Sequence, residues 1–195
     1  PVGSGVDALR RAELRQVEPP GNGIGGDLFA IVWDPETETL YGYNGSGRSA
    51  MGATLEDMQA KADEFMDGEE IPPYGAASVT VPGTVDGWYA LHERFGKRLM
   101  NENLEPAIRY AREGFSMHHV MRDYIAAHVD TYSQWASSKA IYLPGGKVPG
   151  VGENFVQSDL ARSIQFMADE EGAVAKRGRK AGLMAAHDAF YRGDL

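Results

Sequence analysis

Pro19-Pro-Gly-Asn-Gly-Ile-Gly-Gly-Asp-Leu-Phe-Ala-Ile-Val-Trp-Asp34 sets a glycine-rich bend directly in front of an apolar run. Within it, Gly21-x-Gly23-x-x-Gly26 has the spelling of a dinucleotide-binding loop. Such a loop follows a strand and opens a helix, so that the helix N-terminus meets the pyrophosphate. Here the order is reversed, because the strand formers Leu28, Phe29, Ile31, Val32 and Trp33 come after the glycines. That context argues against the dinucleotide reading and favours a tight turn where glycine lets backbone pass close to a neighbour. Gly23, Gly25 and Gly26 are expected to keep side chains clear of the strand's beginning. The unbroken run Leu28–Val32 predicts a strand buried on both faces, inside a layered fold.

Working outward, Leu40–Asn44 reads as a second strand, joined to the first through Asp34-Pro35-Glu36-Thr37-Glu38-Thr39. Proline after aspartate starts a turn readily, so the pair is expected to form a hairpin. Asn44-Gly45-Ser46-Gly47 then breaks the second strand. The remainder reads as mostly helical. Helices are expected at 6–17, 55–66 (capped by Thr54), 85–94 (capped by Thr84), 104–113 (stopped by Gly114), 117–135, 157–171 and 182–191. A short strand is expected at 79–81. Leu104, Ile108, Ala111 and Phe115 share one helical face, as do Leu160, Ile164 and Met167. The organisation predicted is one region over 1–195, strand-rich from 17 to 50 and mainly helical from 54 to 195.

Composition narrows the function classes. A chain of 195 residues with 43% hydrophobic content can build a core. Nineteen basic against 28 acidic residues leave a net charge of −9, which disfavours a nucleic-acid partner. With no cysteine, disulfides, thiol nucleophiles and cysteine metal ligands are excluded. No apolar run approaches the length of a membrane span, so no membrane partner is expected. Arg10, Arg11, Glu13, Arg15 and Glu18 do not fit a signal peptide. His118 and His119 would point about 100° apart on a helix, a poor spacing for a shared metal. The acidic run Asp63, Glu64, Asp67, Glu69 and Glu70 lacks the ligand order of a calcium loop. No metal and no cofactor are therefore expected. Lys176-Arg177-Gly178-Arg179-Lys180 reads as a solvated loop, with anion binding as the lesser alternative.

Four blocks carry a family resemblance. They are Gly23-Ile-Gly-Gly-Asp-Leu-Phe29, Ser78-Val-Thr-Val-Pro-Gly-Thr-Val-Asp-Gly-Trp88, Pro106-Ala-Ile-Arg-Tyr-Ala-Arg-Glu-Gly-Phe115 and Ala189-Phe-Tyr-Arg-Gly193. In this order and spacing the chain resembles the γ-glutamyltranspeptidase family over roughly residues 17–195. The resemblance implies an N-terminal-nucleophile hydrolase of α+β class, an αββα sandwich to which this chain supplies a few strands and mostly helices. It implies a precursor that cuts itself into a large and a small subunit. The small subunit's new N-terminal threonine is the nucleophile, with its own α-amine as base. The partner implied is that small subunit, with a dimer of heterodimers as a further assembly and a small molecule as substrate.

The chain departs from the family pattern at two places that matter for chemistry. None of Thr37, Thr39, Thr54, Thr80, Thr84 and Thr131 is followed by threonine or histidine, as the family nucleophile is. No catalytic residue is therefore assigned here, and the chain is expected to be the front part of a large subunit, inactive alone. The family also places Asp-x-Arg-Glu-x-Ala-Pro after the second strand, where the arginine grips the substrate's α-carboxylate. Here that segment reads Asn44-Gly45-Ser46-Gly47-Arg48-Ser49-Ala50, which puts Ser46 at the arginine position. Arg48 lies two residues on, on the same side of an extended chain. It is the substrate-binding candidate, since a guanidinium suits a carboxylate. Its plain alternative is a surface or ion-pairing arginine. Three functions stay open: γ-glutamyl transfer or hydrolysis, a related amide or β-lactam acylase, and a non-catalytic remnant or interaction domain. The apolar faces of Leu28–Val32 are expected to form a large interface, covered by small-subunit strands.

Overall fold

A computed structural model describes residues 23–60 and 74–193. The helix expected at 6–17, the second half of that at 55–66 and the acidic run 63–70 lie outside these residues. The chain divides into two compact units, Ile24–Gly87 and the residues from Trp88 onward.

In the first unit, strand β1 (Leu28–Asp34) follows the glycines and pairs antiparallel with β2 (Thr39–Gly45). The register runs from Asp34 opposite Thr39 to Leu28 opposite Gly45. Asp34 sets the turn: Oδ1 accepts the Glu36 N–H at 3.0 Å and Oδ2 accepts the Thr37 hydroxyl at 2.9 Å. A carboxylate satisfying backbone two residues on mimics a backbone turn, which is why aspartate serves here. The expected hairpin is thus present. Its burial differs from expectation. Leu28 is buried, but Phe29, Ile31 and Trp33 on one face are 62%, 78% and 53% exposed, with Leu40 opposite Trp33 also exposed. Alternation, not burial on both faces, governs the strand among the described residues.

Helix α1 (Leu55–Ala60) starts where Thr54 predicted. The Thr54 Oγ1 accepts the Asp57 N–H at 3.0 Å, filling one of the donors a helix start leaves open. After a 3-10 turn at Ala76–Ser78, residues 79–81 form no strand. The Val81 N–H donates to the Arg48 carbonyl at 2.9 Å and holds the segment by that bond without a ladder. Helix α2 (Thr84–Phe95) then begins one residue earlier than expected.

The second unit contains α3 (Met100–Glu113), β3 (Phe115–Ser116), α4 (His119–Ala127), α5 (Val129–Ser133), α6 (Ala136–Tyr142), β4 (Asn154–Phe155), α7 (Ser158–Ala173) and α8 (Arg179–Tyr191). Helix α7 packs against both α3 and α8. The predicted face of α3 is the buried one, with Leu104, Ile108 and Ala111 all inside. Ile164 and Met167 of α7 are fully enclosed, and α8 buries Leu183, Ala186 and Ala189. Each large side chain enclosed in this way contributes about 2 kcal/mol of burial.

The single helix expected over 117–135 is broken. Nδ1 of His128 bonds the Tyr124 carbonyl at 2.8 Å, the oxygen its own N–H would reach in a continuing helix. That N–H turns to the Ile125 carbonyl at 3.2 Å, a tighter turn that ends α4. The β3–β4 ribbon went unpredicted because two-residue strands carry no periodicity. It seats Phe115 opposite Phe155, ring centroids 5.7 Å apart, over Met117, Met121, Ile125 and Leu143.

Candidate functional site

The candidate site is built within the first unit, where β2 ends. Three segments converge there: Gly26-Asp27, Asn44–Arg48 and Thr80–Thr84. Asn44 Oδ1 accepts the Ser46 N–H at 2.9 Å, turning the chain out of the strand. Asp27 Oδ1 accepts the Gly47 N–H at 2.7 Å, and the Arg48 carbonyl accepts from Val81. The Gly26 carbonyl accepts both the Gly83 and the Thr84 N–H, at 3.0 and 2.9 Å. Every one of these bonds fixes backbone, so the loop has little freedom to move independently.

The fit is close enough to require glycine. A Cβ on Gly47 would fall 2.5 Å from Thr80 Oγ1 and closer still to the Val81 carbonyl. One on Gly83 would collide with the Gly45 carbonyl. By contrast, a Cβ on Gly25 would meet nothing within 4 Å. Close approach is thus required at Gly47 and Gly83; at Gly25 of the opening bend, expected to need it, it is not.

Arg48 sits at the end of this clamped loop with its backbone held and its side chain exposed. Among the described residues no carboxylate pairs with it. Ser46 is also exposed, and its N–H donates to Asn44. The sequence reading singled out Arg48 but missed Asp27. No local pattern marks it, because its bond to Gly47 spans twenty positions of sequence. Tyr43 and Asp86 support the same unit, with the tyrosine hydroxyl donating to Asp86 Oδ2 at 3.0 Å.

A second polar cluster lies in the other unit, at the ends of helices. Glu171 of α7 is buried and accepts the Met100 and Asn101 N–H groups at 3.0 and 2.7 Å. The basic cluster read as a solvated loop is divided. Lys176 and Arg177 are exposed on a 3-10 turn, while Arg179 opens α8 and donates to the carbonyls of His92, Glu93 and Gly96. Lys180 pairs with Glu93 at 2.9 Å. His92 is buried, and its Nε2 bonds the Arg98 carbonyl at 2.8 Å. Burial holds the ring below its ordinary pKa. Burial, then the charge of Glu171, pushes the Tyr89 hydroxyl well above the usual tyrosine range. Glu171 and Arg179 thus satisfy backbone groups at helix ends. His118 is also a cap: its Nδ1 accepts the Met121 N–H at 3.3 Å at the start of α4.

Known proteins place the chain. The family model described as Gamma-glutamyltranspeptidase matches residues 3–195. The chain is 33% identical over 183 residues to the glutathione hydrolase-like YwrD proenzyme of Bacillus subtilis (strain 168), covering 93% of this chain and 31% of that protein. It is 33% identical over 175 residues to the acylase ACY 1 proenzyme of Pseudomonas sp. (strain SE83), covering 90% and 31%. The crystal structure of cephalosporin acylase from Bacillus halodurans matches with a TM-score of 0.76 at 34% identity, over 99% of this chain and 36% of that one. The chain thus spans about a third of the length of these relatives. The α+β class and the N-terminal-nucleophile hydrolase fold read from the sequence agree with these structures. Four ordered sequence blocks, the family match along nearly the whole chain and the shared fold lead to one assignment: the chain belongs to the γ-glutamyltranspeptidase family.

Proposed function

We propose that this chain is the N-terminal portion of the large subunit of an amide-cleaving acyl transferase, and that it helps hold a γ-glutamyl donor. The observation that carries this reading is Arg48, exposed on a loop whose backbone is clamped on both sides. A guanidinium held there gives two parallel hydrogen bonds to an α-carboxylate. The nucleophile comes from a small subunit beginning with threonine. Its α-amine takes the hydroxyl proton and the oxygen attacks the γ-carbonyl. The C–N bond breaks with the proton passing to the leaving amine, and water or an amino acid then cleaves the ester. The exposed face of Phe29, Ile31, Trp33 and Leu40 fits burial by that subunit. A two-stranded ribbon with one bare apolar face is marginal by itself. On this reading the chain alone is inactive.

One observation favours a second reading, an acylase acting on other amides: Ser46 stands where the family's carboxylate-binding arginine belongs, and two relatives carry acylase names. Turnover of a γ-glutamyl anilide and of anilides whose acyl group lacks an α-carboxylate, by the complete processed protein, separates the two. The first reading expects the γ-glutamyl donor to be preferred. Preference for the other amides would replace it with the second.

A further inference from the structure

We infer that Asp27 is a positioning residue for Arg48: its carboxylate fixes the Gly47 peptide and thereby aims the guanidinium at the substrate's carboxylate. The inference rests on the substrate role proposed above for Arg48. Its own support is geometric. Asp27 precedes β1, and Gly47 follows β2, so the 2.7 Å bond ties the two ends of the hairpin together one residue before Arg48. The length is that of a charge-assisted N–H to carboxylate bond, stronger than a neutral one. On the other side of the Gly47–Arg48 peptide, the Arg48 carbonyl is held by Val81. The peptides on either side of the Gly47-Arg48 pair are therefore both held, while the Arg48 side chain is exposed. Gly47 has no room for a Cβ against Thr80 and Val81, so the loop is pressed into this position and Asp27 supplies the acceptor its N–H needs. A side chain required only for folding has no reason to act through the substrate's carboxylate. A positioning residue does.

The test uses the complete processed protein and two anilide donors, γ-glutamyl and 4-aminobutanoyl, the second lacking the α-carboxylate. Asp27→Ala is expected to raise KM for the γ-glutamyl donor about tenfold or more, with a smaller change in kcat. It should leave kcat/KM for the 4-aminobutanoyl donor near the unmodified value. Asp27→Asn keeps the acceptor oxygen and should restore most of the affinity. In an Arg48→Ala background, Asp27→Ala should add no further loss, because the two act as a unit. Equal losses on both donors, or additive losses in the double variant, would overturn the positioning role. If Arg48→Ala leaves KM for the γ-glutamyl donor unchanged, the Arg48 reading itself fails, a result distinct from failure of Asp27 alone. Hydrogen exchange at the Gly47 amide of the unmodified protein needs no variant. Slow exchange is expected, and exchange at the rate of an open loop would contradict the clamp.

Discussion

The carboxylate of Glu171 closes the start of a helix seventy residues away in sequence: Oε1 takes the Met100 N–H and Oε2 the Asn101 N–H. Leu99, the residue before α3, offers no capping side chain, so the helix depends on α7 for its cap. Glu171→Ala leaves two amides without acceptors and is expected to cost about 3 kcal/mol, while Glu171→Gln, keeping one oxygen, should cost about half as much. Urea unfolding of the two variants checks the order. Equal and small losses would show that the cap is dispensable.

Arg179 does for the end of α2 what Glu171 does for the start of α3. It donates to the His92, Glu93 and Gly96 carbonyls at the helix C-terminus, where a cation is also favoured by the backbone dipole. Arg179→Ala is expected to cost about 1–2 kcal/mol in denaturant unfolding, and Lys176→Ala less than about 0.5 kcal/mol. Similar effects from both would mean that the basic cluster acts only through its net charge.

His92 makes stability depend on pH. Burial lowers its pKa; the Arg98 carbonyl opposes this, Arg179 lowers it further and Glu171 raises it. Protonation would place a proton on Nδ1, which is buried and has no acceptor. The unfolded ring takes a proton near about pH 6.5, the folded ring only below that. Stability from this group is therefore whole above the unfolded value and is lost as pH falls through the folded one. Unfolding free energy should drop as pH falls below about 6.5, and His92→Asn should flatten that component. An unchanged slope would remove His92 as its source.

The bare face of the hairpin sets a further expectation. Ile31 is 78% exposed, so Ile31→Thr should change the stability of this chain by less than about 0.5 kcal/mol. If the complete protein covers that face, the same change there should cost about 1–3 kcal/mol. Thermal or denaturant unfolding of both forms measures the difference, and equal effects would argue that the face stays open.

Much of the helical half was legible because burial imposes a period on sequence: Leu104, Ile108 and Ala111 read as one face and are buried as one. Thr54 was legible as a cap because its partner, Asp57, is three residues away. What escaped depends on residues far apart. The extra first turn of α3 needs Glu171, and the break after α4 needs the His128 ring to take a carbonyl. At the candidate site the sequence singles out Arg48 by its place after the second strand, and its substrate role stays a proposal. Asp27 was not legible, because its bond to Gly47 crosses twenty positions and no local pattern marks it. The apolar run Leu28–Val32 predicted burial on both faces because hydrophobicity records every surface a strand must cover, including any that lies outside the described residues.

We propose that this chain supplies substrate-holding scaffold and that the nucleophile lies on a second chain. Mass spectrometry of the complete processed protein, trapped with a γ-glutamyl donor and digested, tests it directly. The expected result is an acyl adduct on the N-terminal threonine of a second chain, none on residues 1–195, and no turnover by this chain alone. An adduct on a residue of this chain, or turnover by it in isolation, would contradict the account.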